Sequence, residues 1–572
     1  LMLVGSTQSG KTCVLNTLAR ALTLLSPKDG GAAAIAAALA PAGAPALSEE
    51  ALAAVVADIE LALTGLAVPP RQVKTKTINP KALPQSQLYG DFDVNTHEWT
   101  DGVLANAVRA FVTDPANALK WVVFDGPVDA VWIESMNTVL DDNKKLCLNS
   151  GEIIKLTPDM TMMFEVDSLE QASPATVSRC GMVYLEPNQL GWQPIVASWI
   201  RTLPEVNGLT GHAALLQQLC DTYVPQLLAL CTKRLTAVTR VPELTYLSAF
   251  LSLFNAALGE AGMSAAAYAD DDGMPMREVR EHLTSAELAA VEAVERVRLQ
   301  AIFVYTAVWS FAAPLDRPSR VRLYEQFSEW WPLGAAADTA PAVSAEALPA
   351  PARDCTLPDF QLMLRNMAAS YDVLRTRSAV MGALGLKAGG AAAAAVETPG
   401  MTPAAGVPAT PAATAAAPPP ATGLTREELL SALCLPRVDW RPWSSLLQRI
   451  SGLAEDVDVC PLPPDVEYGD IIVPTVDSVA SSAIMLLLTT QGRHVMAVGS
   501  TGTGKTVSVL RSVLPALDSS KFLSFLLQFS ARTSAEQTQS IIDAKLSKRR
   551  AGVFGPPLGR RAVFFVDDIS MP

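Results

Sequence analysis

Histidine is scarce in this chain, with four in 572 residues, and the eight cysteines are scattered without a single C-x-x-C pair. Neither supplies the ligand spacing of a zinc site, and free thiols in a reducing compartment are the simplest reading. Basic residues are also short. Lysine plus arginine number 44 against 57 acids, and the resulting net charge of −13 argues against a protein whose main task is gripping nucleic acid. No stretch reaches the roughly 18 uninterrupted apolar residues of a membrane span; the alanine-rich run after Gly30 is broken by Pro41, Gly43 and Pro45. Hydrophobic residues are plentiful at 49%. The length is too great for one core, and size alone predicts about three to five domains. No secretory leader is expected ahead of the first motif. Both ends are expected to lie inside a longer polypeptide: Leu1 begins within a strand-like run, and Pro572 closely follows two aspartates.

One eight-residue pattern occurs twice, as GSTQSGKT at 5–12 and GSTGTGKT at 499–506. Both fit G-x-x-x-x-G-K-[ST] between an apolar run and a helical one. Leu1–Val4 and His494–Val498 read as strands; CVLNTLARAL and VSVLRSVLPAL read as helices. In such a loop the glycines, Gly5 and Gly10 or Gly499 and Gly504, let successive N–H groups face phosphate oxygens. Ser9 and Thr503 sit in the same loops, and the following helix adds the positive end of its dipole. Lys11 and Lys505 would reach the phosphates of ATP or ADP, and the hydroxyls of Thr12 and Thr506 would ligate Mg²⁺. Tandem nucleotide binding is the expectation.

Each loop is followed by an apolar strand ending in an acid. Trp121–Phe124 leads to Asp125, and Ala562–Val566 leads to Asp567 and Asp568. Asp125 and Asp567 are candidate magnesium-holding carboxylates, although an acid can also merely end a core strand. The position after such an acid often carries the carboxylate that orients the attacking water. It is Gly126 in the first copy and Asp568 in the second. The first site is therefore expected to bind ATP without hydrolysis, and slow hydrolysis stays open to the second. The distance from loop to acid is longer in the first copy by close to the length of an Ala/Gly/Pro-rich insert, 26–68.

Around these motifs the chain divides into an α/β domain, 1–186, and a helical region, 187–386. An Ala/Pro/Gly-rich linker follows at 387–423, expected to be disordered, and then a second α/β domain over 424–572. The insert at 26–68 is expected to carry one helix, opened by Ser48. His97 reads as a loop or core histidine, and Trp309, Trp330 and Trp331 as packing residues. The short helix opened by Pro174 ends near Arg179, with Gly181 releasing the strand Met182–Leu185. An arginine there can be a solvated helix cap.

WVVFDGPVDAVWIESMNTVLDDNKKLCLNSGE, ASPATVSRCGMVY and TSAEQTQSIIDAKLSKRRAGVFGPPLGRR…FFVDDISMP together resemble the dynein heavy chain motor, with FVDDISMP and GPPLG closer to its axonemal type. The resemblance places 1–386 with the second AAA+ module, including a helical lid, and the C-terminal part with the start of the third. It implies a ring of modules in one chain, ATP hydrolysis coupled to movement along microtubules, and a cytoplasmic location in the cilium or flagellum axoneme. Neighbouring modules of the same chain would be partners. Microtubules, through a stalk, and intermediate and light chains would be met outside this stretch; neither nucleic acid nor membrane is implied. Arg179 matches the family's arginine finger, which reaches the preceding module's nucleotide. Ile472, Val473 and Pro474 match its adenine-contacting segment. Asp568 stands where a catalytic glutamate is usual, one methylene shorter. Two other readings stay open: a tandem remodelling ATPase of the ribosome-assembly type, and a non-catalytic nucleotide-binding scaffold.

Overall fold

The computed structural model describes residues 1–24, 71–93, 95–203, 212–239, 241–263, 274, 276–330, 360–386, 424–434, 438–451, 471–550 and 553–571. The expectations for 26–68 and 387–423, and for Trp331, lie outside them. Two compact units are formed, one from 1–193 with 530–545 and the other from 194–529 with 546–571.

The first unit is built on five parallel strands: β1 (Met2–Val4), β2 (Val73–Ile78), β3 (Leu119–Asp125), β4 (Met160–Val166) and β5 (Met182–Tyr184), in the order β2-β3-β4-β1-β5. Its central strands are apolar runs rather than alternating patterns because both faces are covered. Val122, Phe124, Met162 and Phe164 point into one core with Met2 and Val4; Trp121, Val123 and Met163 point into the other with Leu3. The helix after the first loop, α1 (Lys11–Leu24), lays Leu15 on the second core. A further helix, α2 (Val103–Thr113), buries Leu104, Val108 and Phe111 in the first. There Phe124 stacks on Phe164 at 5.0 Å and on Trp132 at 5.6 Å. The short helix α3 (Pro174–Val177) is capped by Ser173, whose side chain accepts from Thr176 N.

In the second unit the expected helical region contains α4 (Ala213–Lys233), α5 (Glu243–Glu260), α6 (Ser285–Ala312) and α7 (Arg317–Trp330). Phe250 meets Phe254, Phe303 and Phe311 at 5.2–6.1 Å, which joins α5 to α6. Trp309 packs edge-on against Trp443 at 5.8 Å, as a packing residue should. A paired β6 (Phe360–Leu362) and β7 (Trp440–Pro442) flank α8 (Leu364–Tyr371) and α9 (Arg426–Leu433). Next come α10 (Trp443–Ser451) and α11 (Val476–Thr490), the latter opened by a capping box at Thr475. The second loop precedes a short α-helix, α12 (Lys505–Ser508), which continues as a π-helical turn over Val509–Val513. The last two strands, β8 (Phe522–Gln528) and β11 (Arg561–Asp567), pair in parallel, and between them lies the antiparallel pair β9 (Ser547–Arg550) and β10 (Val553–Gly555). One expected strand is not formed. Residues 494–498 are irregular, with Met496 72% and Val498 61% exposed, and among the described residues the run meets no ladder or core that would fix it.

A charged cluster lies inside the helical region. Glu295, 2% exposed, accepts from Tyr371 Oη at 3.0 Å and pairs with His212 Nε2 at 3.0 Å and with Arg280. Removing one member of such a buried network strands the others without partners. Glu295→Ala is therefore expected to cost about 3–5 kcal/mol, read as a lowered urea midpoint. A surface pair behaves differently. Arg426 on α9 donates to Glu287 at 2.6 and 2.9 Å, and with the Thr284 backbone N–H this holds the Glu287 carboxyl down at about 2. A depressed carboxyl stabilises above its unfolded value and stops doing so as pH falls through the folded one. Arg426→Ala should thus be less stable than the unmodified chain near pH 6, and the two urea midpoints should converge as pH approaches 2.

Candidate nucleotide sites

The first loop leaves β1 at the carboxyl edge of the sheet, where open parallel sheets bind ligands. Gly5 N donates to Val166 O of β4, and Leu185 N to Val4 O, so both neighbours of β1 frame the loop. A Cβ on Gly5 would lie 2.1 Å from Leu185 O; only glycine fits. Gly10 has φ +84°, a left-handed conformation that turns the chain into α1. Lys11 Nζ folds back onto Gly5 O and Ser6 O and lies 3.4 Å from Asp167 Oδ1. Ser9 is 5% exposed, and its hydroxyl has no hydrogen-bond partner among the described residues.

Thr12 Oγ1 donates to Glu165 Oε2 on β4. Asp125 sits at the end of β3, exposed and in register with Glu165. The structure thus gathers Gly5, Ser9, Gly10, Lys11 and Thr12 into one loop, and sets two further carboxylates, Glu165 and Asp167, between that loop and Asp125. Sequence reasoning passed over both. The available signal was the pair of acids interrupting an apolar strand in MTMMFEVD.

Gly126 has close company: a Cβ there would stand 3.0 Å from Asn79 Oδ1, which also caps the turn at Pro80–Ala82. Asp129 turns away to accept from Lys81 Nζ at 2.9 Å, and that bond holds its carboxyl below the usual range. Neither position offers a free base. Arg179 donates from Nη1 to Ala175 O at 2.9 Å, and its Nε lies 3.5 Å from Asp141. Its side chain remains partly open to solvent.

The second loop repeats the fold-back of the lysine. Lys505 Nζ donates to Gly499 O at 2.8 Å and to Ser500 O at 2.7 Å. Gly502 and Gly504 take φ of +82° and +77°. Thr506 Oγ1 donates to Asp567 Oδ1 at 2.9 Å, so this threonine meets the acid that ends the motif strand. Asp568 follows with φ +53°, a left-handed conformation that a short polar residue tolerates better than most. Thr503 and Gly504 line a cavity of about 600 Å³ together with Ile472, Val473 and Pro474. Met363 and Arg365, from the helical region, close another side of it. Such a volume falls in the ordinary range of small-molecule pockets.

In both loops the lysine ammonium is satisfied by carbonyls that a phosphate would displace as its partner, and the threonine hydroxyl already faces a carboxylate. These donor sets fit a nucleotide with Mg²⁺.

Three family models match the chain: an AAA domain of the dynein-related subfamily over 60–180, the dynein heavy chain AAA lid domain over 216–366, and a P-loop containing dynein motor region over 460–572. Dynein axonemal heavy chain 1 of Rattus norvegicus is 36% identical over 577 aligned residues, covering all of this chain and 11% of the relative. Dynein axonemal heavy chain 12 of Mus musculus is 34% identical over all of this chain and 14% of its own length. Dynein axonemal heavy chain 3 of the mouse is 32% identical over 87% of this chain and 10% of its own. The chain spans little more than a tenth of these relatives, and the P-loop domains within it imply an ATPase in general terms. The alignments run through both phosphate loops and the helical region between them, and the chain belongs to the axonemal dynein heavy chain family.

Proposed function

We propose that this stretch is the ATP-binding, ring-forming part of a microtubule motor of the cilium or flagellum. In this reading 1–186 and 187–386 are the large and lid domains of one module, 387–423 is the linker in sequence, and 424–572 begins the next module. The first loop binds ATP with Mg²⁺ and keeps it. The second binds ATP, hydrolyses it slowly through Asp568, and so regulates the motor cycle. Neighbouring modules of the same chain are the immediate partners; microtubules and the intermediate and light chains are met through other parts of the heavy chain.

The observation that carries this reading is the asymmetry between two similar loops. Both have a lysine folded onto loop carbonyls and a threonine on a carboxylate. Only the second is followed by a free acid at the base position; in the first, Gly126 abuts Asn79 and Asp129 is tied to Lys81. Nucleotide extracted from the first site of the complete heavy chain should be triphosphate, and Lys11→Ala should remove one bound nucleotide per chain. Steady ADP release that persists after the other sites are disabled, and stops with Lys11→Ala, would overturn the reading.

Arg179 is proposed as an arginine finger for the preceding module. Its hydrogen bond to Ala175 O and its neighbour Asp141 are surface contacts, worth little to stability, so they leave the guanidinium fork free to be exchanged for phosphate oxygens. Arg179→Ala should leave nucleotide affinity of the preceding module nearly intact while its turnover falls on the order of 10³-fold. Arg179→Lys should recover little, because an ammonium keeps the charge and loses the fork. Near-normal turnover and gliding in the alanine variant would reduce Arg179 to a helix cap.

A further inference from the structure

We propose that Asn137 and Thr176 are positioning residues for Arg179, and that the hydrogen bond between them fixes where α3 sets the guanidinium. The proposal rests on the reading of Arg179 as an arginine finger. α3 is only Pro174–Val177, too short to hold a helix by itself. Its one buried residue is Thr176, so no buried apolar side chain of α3 seats it. Polar bonds take over that task. Thr176 Oγ1 donates to Asn137 Oδ1 at 3.0 Å. With that proton committed, the Ser173 hydroxyl, 3.0 Å away, donates to Thr176 Oγ1, and Ser173 Oγ in turn accepts from Thr176 N. Thr176 is thereby bound both to the start of its own helix and to a residue 39 positions earlier.

Asn137 is itself firmly held. It opens the short helix Asn137–Leu140, which follows the buried Met136 and lays Val139 in the first core of the sheet. The bond therefore ties a weakly seated helix to a firmly seated one. The far end of that short helix supplies a second tie. Asp141 ends it and lies 3.5 Å from Arg179 Nε, while Nη1 donates to Ala175 O at 2.9 Å. Two of the three guanidinium nitrogens thus face the arginine's own domain, and Nη2 has no partner among the described residues. The exposed pair with Asp141 is weak, so the buried bond decides the position. A hydrogen bond is directional and specifies one arrangement, where apolar contact alone would let α3 slide. Position matters because a misplacement of about 1 Å can cost about 10²-fold in rate.

The test measures ATP turnover by the complete heavy chain, as kcat and KM, together with the urea midpoint. Thr176→Val keeps the β-branched shape and removes the hydroxyl. It should lower kcat about 10- to 100-fold and leave KM nearly unchanged. Thr176→Ser keeps the hydroxyl and should restore most of the lost turnover. The double variant Asn137→Leu/Thr176→Val separates position from stability. With both polar partners replaced, its urea midpoint should return close to that of the unmodified chain, while kcat stays low. A kcat that recovers with the midpoint would make the bond merely structural and overturn the proposal, as would an unchanged kcat in Thr176→Val. Should Thr176→Val fail to fold, the double variant decides alone. A mutant cycle reads the coupling: on an Arg179→Ala background, Thr176→Val should lower kcat no further, and a full second loss overturns the proposal. Near-normal turnover in Arg179→Ala removes the finger reading and the positioning with it. Lost turnover in Arg179→Ala with none lost in Thr176→Val leaves the finger standing and overturns the positioning alone.

Discussion

Parallel pairing of β1 with β4 on one side and β5 on the other is the constraint on which the first site depends. The registers Met2↔Phe164 and Met2↔Met182 fix where β1 ends relative to both neighbours. Gly5 must then leave the sheet between Val166 and Leu185, where a side chain would collide with a carbonyl. The glycine requirement at the start of the loop is thus a property of the sheet as much as of phosphate. The same pairing decides which acid the helix-borne hydroxyl can meet. Thr12, the second residue of α1, meets the neighbour of β1 that carries Glu165, which is β4.

The cost of this arrangement is borne by the core. β4 carries a buried carboxylate at its end, where a longer apolar strand would have been more stable. The compensation is local: Met160, Met162 and Phe164 fill one face, Met163 the other, and the Phe124–Phe164 stack braces the strand against β3. Burying side chains of this size contributes about 1.5–3 kcal/mol each, enough to fix a strand with one expensive residue at its functional edge. The helical region carries its own buried charge, Glu295, but there His212, Arg280 and Tyr371 all reach it, and Arg298 lies 5.2 Å from the Tyr371 ring.

Much of this was legible in local sequence. The strands around Trp121, Met160 and Ala562 could be read because a strand covered on both faces is a continuous apolar run, and the two loops because their chemistry fixes their spacing. The run His494–Val498, four apolar residues after a histidine, looked the same and forms no strand among the described residues, since such a run states a capacity for pairing and cannot supply the partner. Glu165 was hidden for the complementary reason. A sequence states which strands end in acids, whereas the neighbour of β1 is a matter of strand order, set by crossovers across more than a hundred residues. Asn79 beside Gly126 was hidden in the same way.

The cavity at the second loop extends this argument from strands to helices. Its loop end is local: Thr503 and Gly504 belong to the motif. The segment Ile472–Pro474 lies one helix earlier, and its chemistry was suggested by the family resemblance alone. Met363 and Arg365 come from the helical region, and no periodicity marks them. Three interactions bring them there: the antiparallel pairing of Phe360–Leu362 with Trp440–Pro442, the bond from Arg365 Nε to Glu260 at 2.6 Å, and the approach of the Gln491 side chain to Gly259. A Cβ on Gly259 would stand 2.2 Å from Gln491 Oε1, the movable end of that side chain. Here the wall of the cavity is built by side-chain contacts and a three-residue ladder between segments far apart in the chain. Each is ordinary where it stands, and their common consequence exists only in the folded chain.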